Sequence, residues 1–207
     1  MGAAMIRRSG HFRVRKNRQA GFTLIEVMVS MAVLTVGLVS LLGVFGLAMA
    51  TTQTSQQDMI AKQLANEAYE SIITARNTGQ ITFDSIQNVG STNCPITGIS
   101  PCGIFLSGAQ QIYNAGADGI YGTADDVTAG VRQTLHDPGP DGIFGTADDV
   151  YISLTGYQRT ILIGPVNNPQ GGTEAALRSV TITIQYQTAQ MNSLKSYVLN
   201  SYISEFN

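Results

Sequence analysis

The 207-residue chain predicts an α+β fold, and three observations carry that expectation. Residues 22–77 read as one long helix, apolar in its first half and amphipathic in its second. Val180, Ile182, Ile184 and Tyr186 alternate with Thr181, Thr183 and Gln185, the pattern of a strand with one buried face. Between them lies a glycine-punctuated stretch that contains a near-verbatim duplication.

The helix comes first. From Val27 to Gln57 no residue is charged. The apolar segment 27–50, at about 1.5 Å per residue, reaches about 36 Å and suffices for a hydrocarbon core of roughly 30 Å. Its residues are apolar all round, as a membrane span or a filament core requires. Gly37, Gly43 and Gly46 interrupt it, each at a cost of about 1 kcal/mol relative to Ala. From Thr51 onward Ala61, Leu64, Ala65, Ala68, Ile72 and Ala75 recur at spacings of three and four, which marks a face for a packed domain. Asp58 and Lys62 form an i,i+4 pair in the favoured order. Arg76 in the last turn and Gly79 just beyond it give the stop signal. A helix over 22–77 would be a rod of about 84 Å, longer than one small domain buries. Copies of the same chain are the economical cover for the remainder.

Residues 80–150 show little period, and short strands are expected near Ile104–Leu106 and Val131–Leu135. Loops this long are uncommon unless functional or pinned. After Val150 strands are expected at Tyr151–Thr155, Gln158–Ile163 and Tyr197–Ile203, with turns at Gly164–Thr173 and Thr188–Ser193. An antiparallel sheet packed on the amphipathic half of the helix satisfies these segments.

At the head of the helix stands Gly21-Phe22-Thr23-Leu24-Ile25-Glu26, preceded by Arg7, Arg8, Arg13, Arg15, Lys16 and Arg18. A lone carboxylate leading an apolar helix is costly in a bilayer unless it finds a partner, so Glu26 is a functional candidate. The order of basic segment, Gly, Phe, acid and apolar helix resembles the class III signal of type IV pilins and pseudopilins. The resemblance covers roughly residues 15–50. It implies a leader of residues 1–21, cut after Gly21 by a prepilin peptidase, methylation of the new Phe22 amine, and Glu26 as an assembly residue. It further implies a single-pass inner-membrane protein that passes through an inner-membrane assembly platform into an extracellular or periplasmic filament. Partners are then other pilin subunits, met through the N-terminal helix. Major pilins usually carry a proline where this chain has Gly43, which leans the resemblance toward a minor pilin or a pseudopilin of a type II secretion system.

Two other readings of the same stretch stay open. Ala48-Met49-Ala50 matches the A-x-A site of a secretory signal peptide, which would release a soluble calcium-binding or adhesive protein beginning at Thr51. The apolar segment is, however, longer than the roughly 7–15 residues of such a signal's core. A plain membrane anchor is the other reading, and it overlaps with the first.

Charge narrows the partners. Six of the twelve Lys and Arg lie in residues 1–21 and all fourteen acids lie after it. Six cations against fourteen acids give the remainder a formal charge of −8, so no nucleic-acid partner is expected. Leader cations keep the N-terminus cytoplasmic by the positive-inside rule. Cys94 and Cys102 then lie in an exported, oxidising compartment that favours a disulfide between them. A metal site there is the weaker alternative, since no second cysteine pair exists and His136 is the only histidine after the leader.

The duplication runs from Asn114 to Val127 and again from Asp137 to Val150, ten of fourteen positions identical at a period of 23. Two units are too few for a solenoid. Counting Asp137 as one, Asp141 is five, Gly142 six, Ile143 seven and Asp148 twelve, the spacing of oxygen donors in an EF-hand loop. The first copy places Asn114, Asp118, Gly119, Ile120 and Asp125 at the same points. Position three is glycine, position twelve is Asp, and the flanks do not read as helices, so the loops are calcium-loop-like and not EF-hands. One Ca²⁺ per loop is expected, with Asp126 and Asp149 completing or bridging the spheres. Solvated Asp/Gly turns are the alternative. Seven clustered aspartates would repel one another without a cation.

No catalytic constellation emerges. His136 beside Asp137 lacks an activated nucleophile, and an enzyme is not expected. The expected organisation is a leader (1–21), a membrane or filament-core helix (22–50), an amphipathic helix half (51–79) and a globular head (80–207). The head divides into a loop-rich insertion (80–150) and an antiparallel sheet (151–207).

Overall fold

The computed structural model describes residues 21–91, 102–188 and 193–206. Its compact units are residues 1–48 and 49–207. Helix α1, Leu24–Asn77, contributes to both.

In the first unit, Thr23 caps the helix. Its carbonyl accepts the Glu26 N–H at 3.0 Å and its Oγ1 the same N–H at 3.4 Å, so the helix begins two residues after the expected Phe22. Every residue from Gly21 to Met49 is exposed. Large apolar side chains dominate this surface; Phe22, Leu24, Met31, Leu34, Val39 and Leu42 are among them. The few hydroxyls are turned inward on their own helix. Ser30 Oγ donates to the Glu26 carbonyl at 2.7 Å, Thr35 Oγ1 to Ala32 at 2.8 Å and Ser40 Oγ to Val36 at 2.9 Å. By length and composition, α1 is long and apolar enough to cross a membrane.

In the second unit, α1 turns amphipathic as its spacing predicts. Ala61, Leu64, Ala65, Ala68, Ile72 and Ala75 are all buried. Four alanines in that stripe let the sheet approach closely, while Leu64 and Ile72 supply bulk, each stabilising by about 1.5–3 kcal/mol when buried. The helix ends where Gly79 takes φ +73, with the Gln80 N–H reaching back to the Ala75 carbonyl at 2.9 Å. Arg76 Nη2 donates to the Glu205 carbonyl at 2.9 Å and fastens the last turn to the chain's end.

The opposing layer is a four-stranded antiparallel sheet, ordered β1-β4-β5-β6. It comprises β1 (Gln110–Gln111), β4 (Tyr157–Asn167), β5 (Thr173–Gln187) and β6 (Leu194–Ser204). Register pairs Ile161 with Ile182 and Ile182 with Leu199. Because side chains alternate, Ile161, Val180, Ile182, Ile184 and Ile203 enter one core with the helix stripe.

Several expected elements differ. The turn placed at Gly164–Thr173 is shorter: β4 continues to Asn167 through a bulge at Pro165/Val166, where proline cannot donate to the ladder. Ile104–Leu106 is not a strand; Phe105 makes one parallel bridge to Asn88 and is fully buried. Asn88 also takes the place of a strand against β4. Its Oδ1 accepts the Ile163 N–H at 2.7 Å and its Nδ2 donates to the Ile161 carbonyl at 2.8 Å. The strand expected at Val131–Leu135 forms as β2 (Thr134–Asp137), and Arg132 only bridges Tyr113. The strand expected at Tyr151–Thr155 forms as β3 (Val150–Ser153) but does not join the main sheet. It pairs with β2 as a separate two-stranded ladder, His136 opposite Tyr151, because both strands flank the second copy of the duplication and close on each other.

Candidate functional site

Two features carry the candidate residues, and they lie in different units. The first is the head of α1. Glu26 is exposed one turn into an exposed apolar helix, with Phe22 and Gly21 before it. Exposed apolar surface of this extent marks a contact with lipid or protein.

The second is the duplication. Its two copies fold to one hydrogen-bonded frame. In the first, Asp118 Oδ1 accepts the Ile120 N–H at 2.8 Å, and Asp125 Oδ2 accepts the Asp118 N–H at 3.2 Å. Thr123 Oγ1 has three acceptors within reach of its one proton: the Ile120 carbonyl at 3.2 Å, Asp118 Oδ2 at 3.1 Å and, closest, Asp125 Oδ1. Asp126 closes the base: Oδ1 accepts the Gly116 N–H at 2.7 Å and Oδ2 the Gly122 N–H at 2.6 Å. The second copy repeats most of this, with Asp141 on the Ile143 N–H (2.8 Å), Asp148 on the Asp141 N–H (3.3 Å) and Asp149 on the Gly145 N–H (2.7 Å), but its Gly139 N–H goes to Asp137 and not to Asp149. Thr146 donates to the Ile143 carbonyl at 3.0 Å and to Asp148 at 2.7 Å. The aspartates that the spacing singled out are therefore the acceptors that organise the turns, with a threonine at the hub. The threonine role was missed; Gly-Thr-Ala-Asp-Asp in both copies is the signal that marks it.

Surroundings separate the copies. Ile120 is 1 % exposed and Ile143 61 %. Tyr121 ties the first loop to the helix, its hydroxyl donating to Glu67 Oε1 at 2.8 Å and its N–H to Ser71 Oγ at 3.3 Å. Arg159, 3 % exposed, lies over the Tyr121 ring at 4.5 Å and donates to the Tyr113 carbonyl at 3.4 Å. The second loop has a histidine instead. His136 Nε2 sits 2.6 Å from Asp149 Oδ2, with its ring stacked on Tyr151 at 4.5 Å and edge-on to Phe144 at 5.1 Å.

Protonation follows the surroundings. Burial pushes the Asp126 carboxyl above its ordinary value; the N–H groups of Gly122 and Gly116 and the Arg159 charge oppose this without cancelling it. Burial acts on Asp125 in the same direction, but bonds from Thr123 and the Asp118 N–H outweigh it and leave it lowered. The Thr146 bond leads in lowering Asp148. Asp149 is lowered because the Gly145 N–H and His136 together exceed its desolvation.

For a cation, the first loop brings carboxylate oxygens of Asp118, Asp125 and Asp126 within 4.8 Å of one another; among the described residues Asp141, Asp148 and Asp149 do not form such a group. Asp118, Asp125 and Asp126 each already accept a backbone N–H, and their carboxylate oxygens keep further lone pairs. Asn114 is exposed, with its N–H on the Val131 carbonyl. Asp137 lies at the end of β2, accepting the Gly139 N–H at 3.1 Å. Contrary to the expectation for the flanks, residues 124–129 form a short helix, α2, that starts inside the first loop. Cys94 lies outside the described residues; Cys102 Sγ is 3.4 Å from the Ser91 carbonyl.

The family model of the prokaryotic N-terminal methylation motif matches residues 16–42. No curated protein and no solved structure matches the chain. The matched segment holds Gly21, Phe22 and Glu26, so the chain carries a prokaryotic N-terminal methylation motif at the head of its exposed apolar helix.

Proposed function

We propose that the chain is a structural, minor-pilin-like subunit of a type IV pilus, processed by prepilin peptidase after Gly21. The observation that carries this reading is the methylation motif on a helix whose apolar surface is left exposed from Phe22 to Met49. That surface is covered by lipid before assembly and by the helices of other subunits afterwards. Glu26 meets the Phe22 amine of a neighbouring subunit, and the attraction offsets the several kcal/mol that desolvating the carboxylate costs. The pairing also sets the axial register of an arriving subunit. Mass spectrometry of the mature N-terminus tests the processing: a methylated Phe22 supports it, and Thr51 makes the chain a soluble secreted protein. Glu26→Gln is cleaved normally and fails to enter filaments; normal incorporation overturns the pairing. A pseudopilin of a type II secretion system shares every one of these features. Loss of secretion with intact surface pili on deletion selects it.

In the same reading the head is stiffened by calcium and by a disulfide. Each duplicated loop takes one Ca²⁺, at Asn114, Asp118, Ile120 and Asp125 with Asp126, and at Asp137, Asp141, Ile143 and Asp148 with Asp149. Glycine at position three removes a charged ligand, so affinity falls in the extracellular range of about 10⁻⁴–10⁻³ M. A Cys94–Cys102 bond closes a short loop and contributes roughly 2–3 kcal/mol at most. Alkylation of unreduced filaments tests it; two free thiols overturn it.

A further inference from the structure

The main sheet guards one of its edges and leaves the other open. An edge strand offers a row of unpaired N–H and C=O groups to any passing strand, and proteins blunt such edges by shortness, proline, a bulge, charge or a cover. On one side, β1 is two residues long, β4 carries Pro165 with a bulge beside it, and Asn88 occupies the Ile161 carbonyl and the Ile163 N–H. On the other side stands β6. It runs for eleven residues without proline, in unbroken register with β5 from Leu194 opposite Gln187 to Ser204 opposite Leu177. Among the described residues it pairs with no other strand. Its one charge, Lys195, stands at one end, and Glu205 follows the other end.

We propose that this edge pairs with the same edge of a second copy of the chain, β6 antiparallel to β6 about a two-fold axis at Asn200. The strand's own pattern selects both partner and register. Tyr197, Leu199 and Ile203 pack on the core, while Ser196, Val198, Asn200 and Tyr202 between them are exposed. Core side must meet core side across the pair, so the axis falls on a residue and not between two. Centred on Asn200, the pairing sets Lys195 opposite Glu205, Val198 opposite Tyr202 and Tyr197 opposite Ile203, each of them twice. Opposite charges and aromatic–β-branched pairs are the ones that favour a sheet when directly opposed. Moving the axis to Leu199 sets Lys195 against Ile203, and moving it to Ser201 sets Glu205 against Tyr197. Lys195 lies 3.9 Å from Asp58, beyond hydrogen-bond reach, so a second carboxylate can draw it. A two-fold contact is closed. It couples two copies, does not by itself extend a filament, and is independent of assembly through α1.

The test uses the full chain in detergent micelles, with single cysteines placed on β6 and covalent dimer scored on non-reducing gels after mild oxidation. The unmodified chain reports the background from Cys94 and Cys102. Directly opposed residues lie about 4.5–5.5 Å apart at Cα, inside the roughly 4.4–6.8 Å that a disulfide spans. Asn200→Cys should therefore give covalent dimer. Val198→Cys and Tyr202→Cys should each give about tenfold less alone, because each then faces its own copy about 13 Å out of register. Mixed with one another, these two should cross-link. Within the Asn200→Cys chain, Glu205→Lys should weaken association about tenfold, and Lys195→Glu likewise. Mixing those two variants should restore the dimer, since both charge pairs across the axis are then of opposite sign. That recovery separates a lost contact from a damaged fold. Cross-linking of none of the three positions, equal cross-linking of all three, or no recovery on mixing overturns the proposal; association through α1 alone falls among these results. None of the readouts depends on cleavage after Gly21 or on filament formation.

Discussion

The first copy of the duplication is part of the core, and the second stands out on a hairpin, although ten of their fourteen residues are the same. What they share is local: an aspartate on the N–H two residues on, a threonine hub, and a second aspartate on the glycine four residues back. What differs comes from outside the duplication. After Asp-Asp-Val the first copy continues Thr128-Ala129-Gly130, and α2 ends with Gly130 at φ +65. The second continues Tyr151-Ile152-Ser153, a β-branched and aromatic run that pairs with β2. Identical turns are thus built by their own hydrogen bonds and assigned a fate by their neighbours.

The sharpest break of the comparison is a paired truncation. Ile120→Ala should cost about 2–5 kcal/mol in urea unfolding, because its side chain fills the core. Ile143→Ala at the matching position should stay within about 0.5 kcal/mol. Equal costs would mean that the second loop is packed against something in solution.

Asp126→Asn comes next. Its two oxygens each accept a backbone N–H, and an amide offers only one oxygen. One buried donor loses its partner, at about 1–3 kcal/mol by the same unfolding measurement.

Calcium should separate the copies in the opposite direction. The first loop is held by burial, Tyr121 and Arg159 without an ion, whereas the second has little apolar cover. Chelation by EGTA should therefore speed proteolysis within Asp137–Val150 more than within Asn114–Val127. If neither segment responds, and calorimetry at millimolar calcium records no heat, both are acidic turns only.

Acid gives the smallest and most local effect. Asp148 and Asp149 release their protons more readily when folded. Their stabilisation is present above the ordinary carboxylate range and is lost as pH falls through the lowered values. Asp126 has the opposite sign: its charge costs stability at neutral pH, and that cost is relieved as pH falls through its raised value. In calcium-free buffer, amide exchange corrected for its intrinsic pH dependence should accelerate at Gly145 before Gly122. The reverse order would contradict the assignment.

Sequence pattern made the helix face and the β5 alternation legible, since period 3.6 and period 2 are written into single segments. Ala61 through Ala75 and Val180 through Tyr186 lie where the pattern puts them. The aspartates of the duplication stood out by their local spacing too, but as metal ligands; the hydrogen bonds they accept from N–H groups two and four residues away were not read from it. Non-local facts were not legible. Nothing near Tyr151 in the chain says that β3 pairs with β2 and not with the main sheet. Nothing near Arg159 marks a guanidinium destined for burial against the Tyr121 ring, and Asn88 gives no sign that it will stand in for a strand beside Ile161 and Ile163.

The inward hydroxyls of α1 have a consequence for transport between phases. Ser30, Thr35 and Ser40 close their hydrogen bonds on the helix's own carbonyls, so under the proposed assembly they would exchange no partner on passing from lipid to a protein environment. Each carries its solvation with it. The free-energy difference between the two environments then rests on the contacts of apolar side chains and on Glu26. Under the proposed assembly, such a transfer would be nearly neutral for most of the segment, and a single carboxylate could decide its direction.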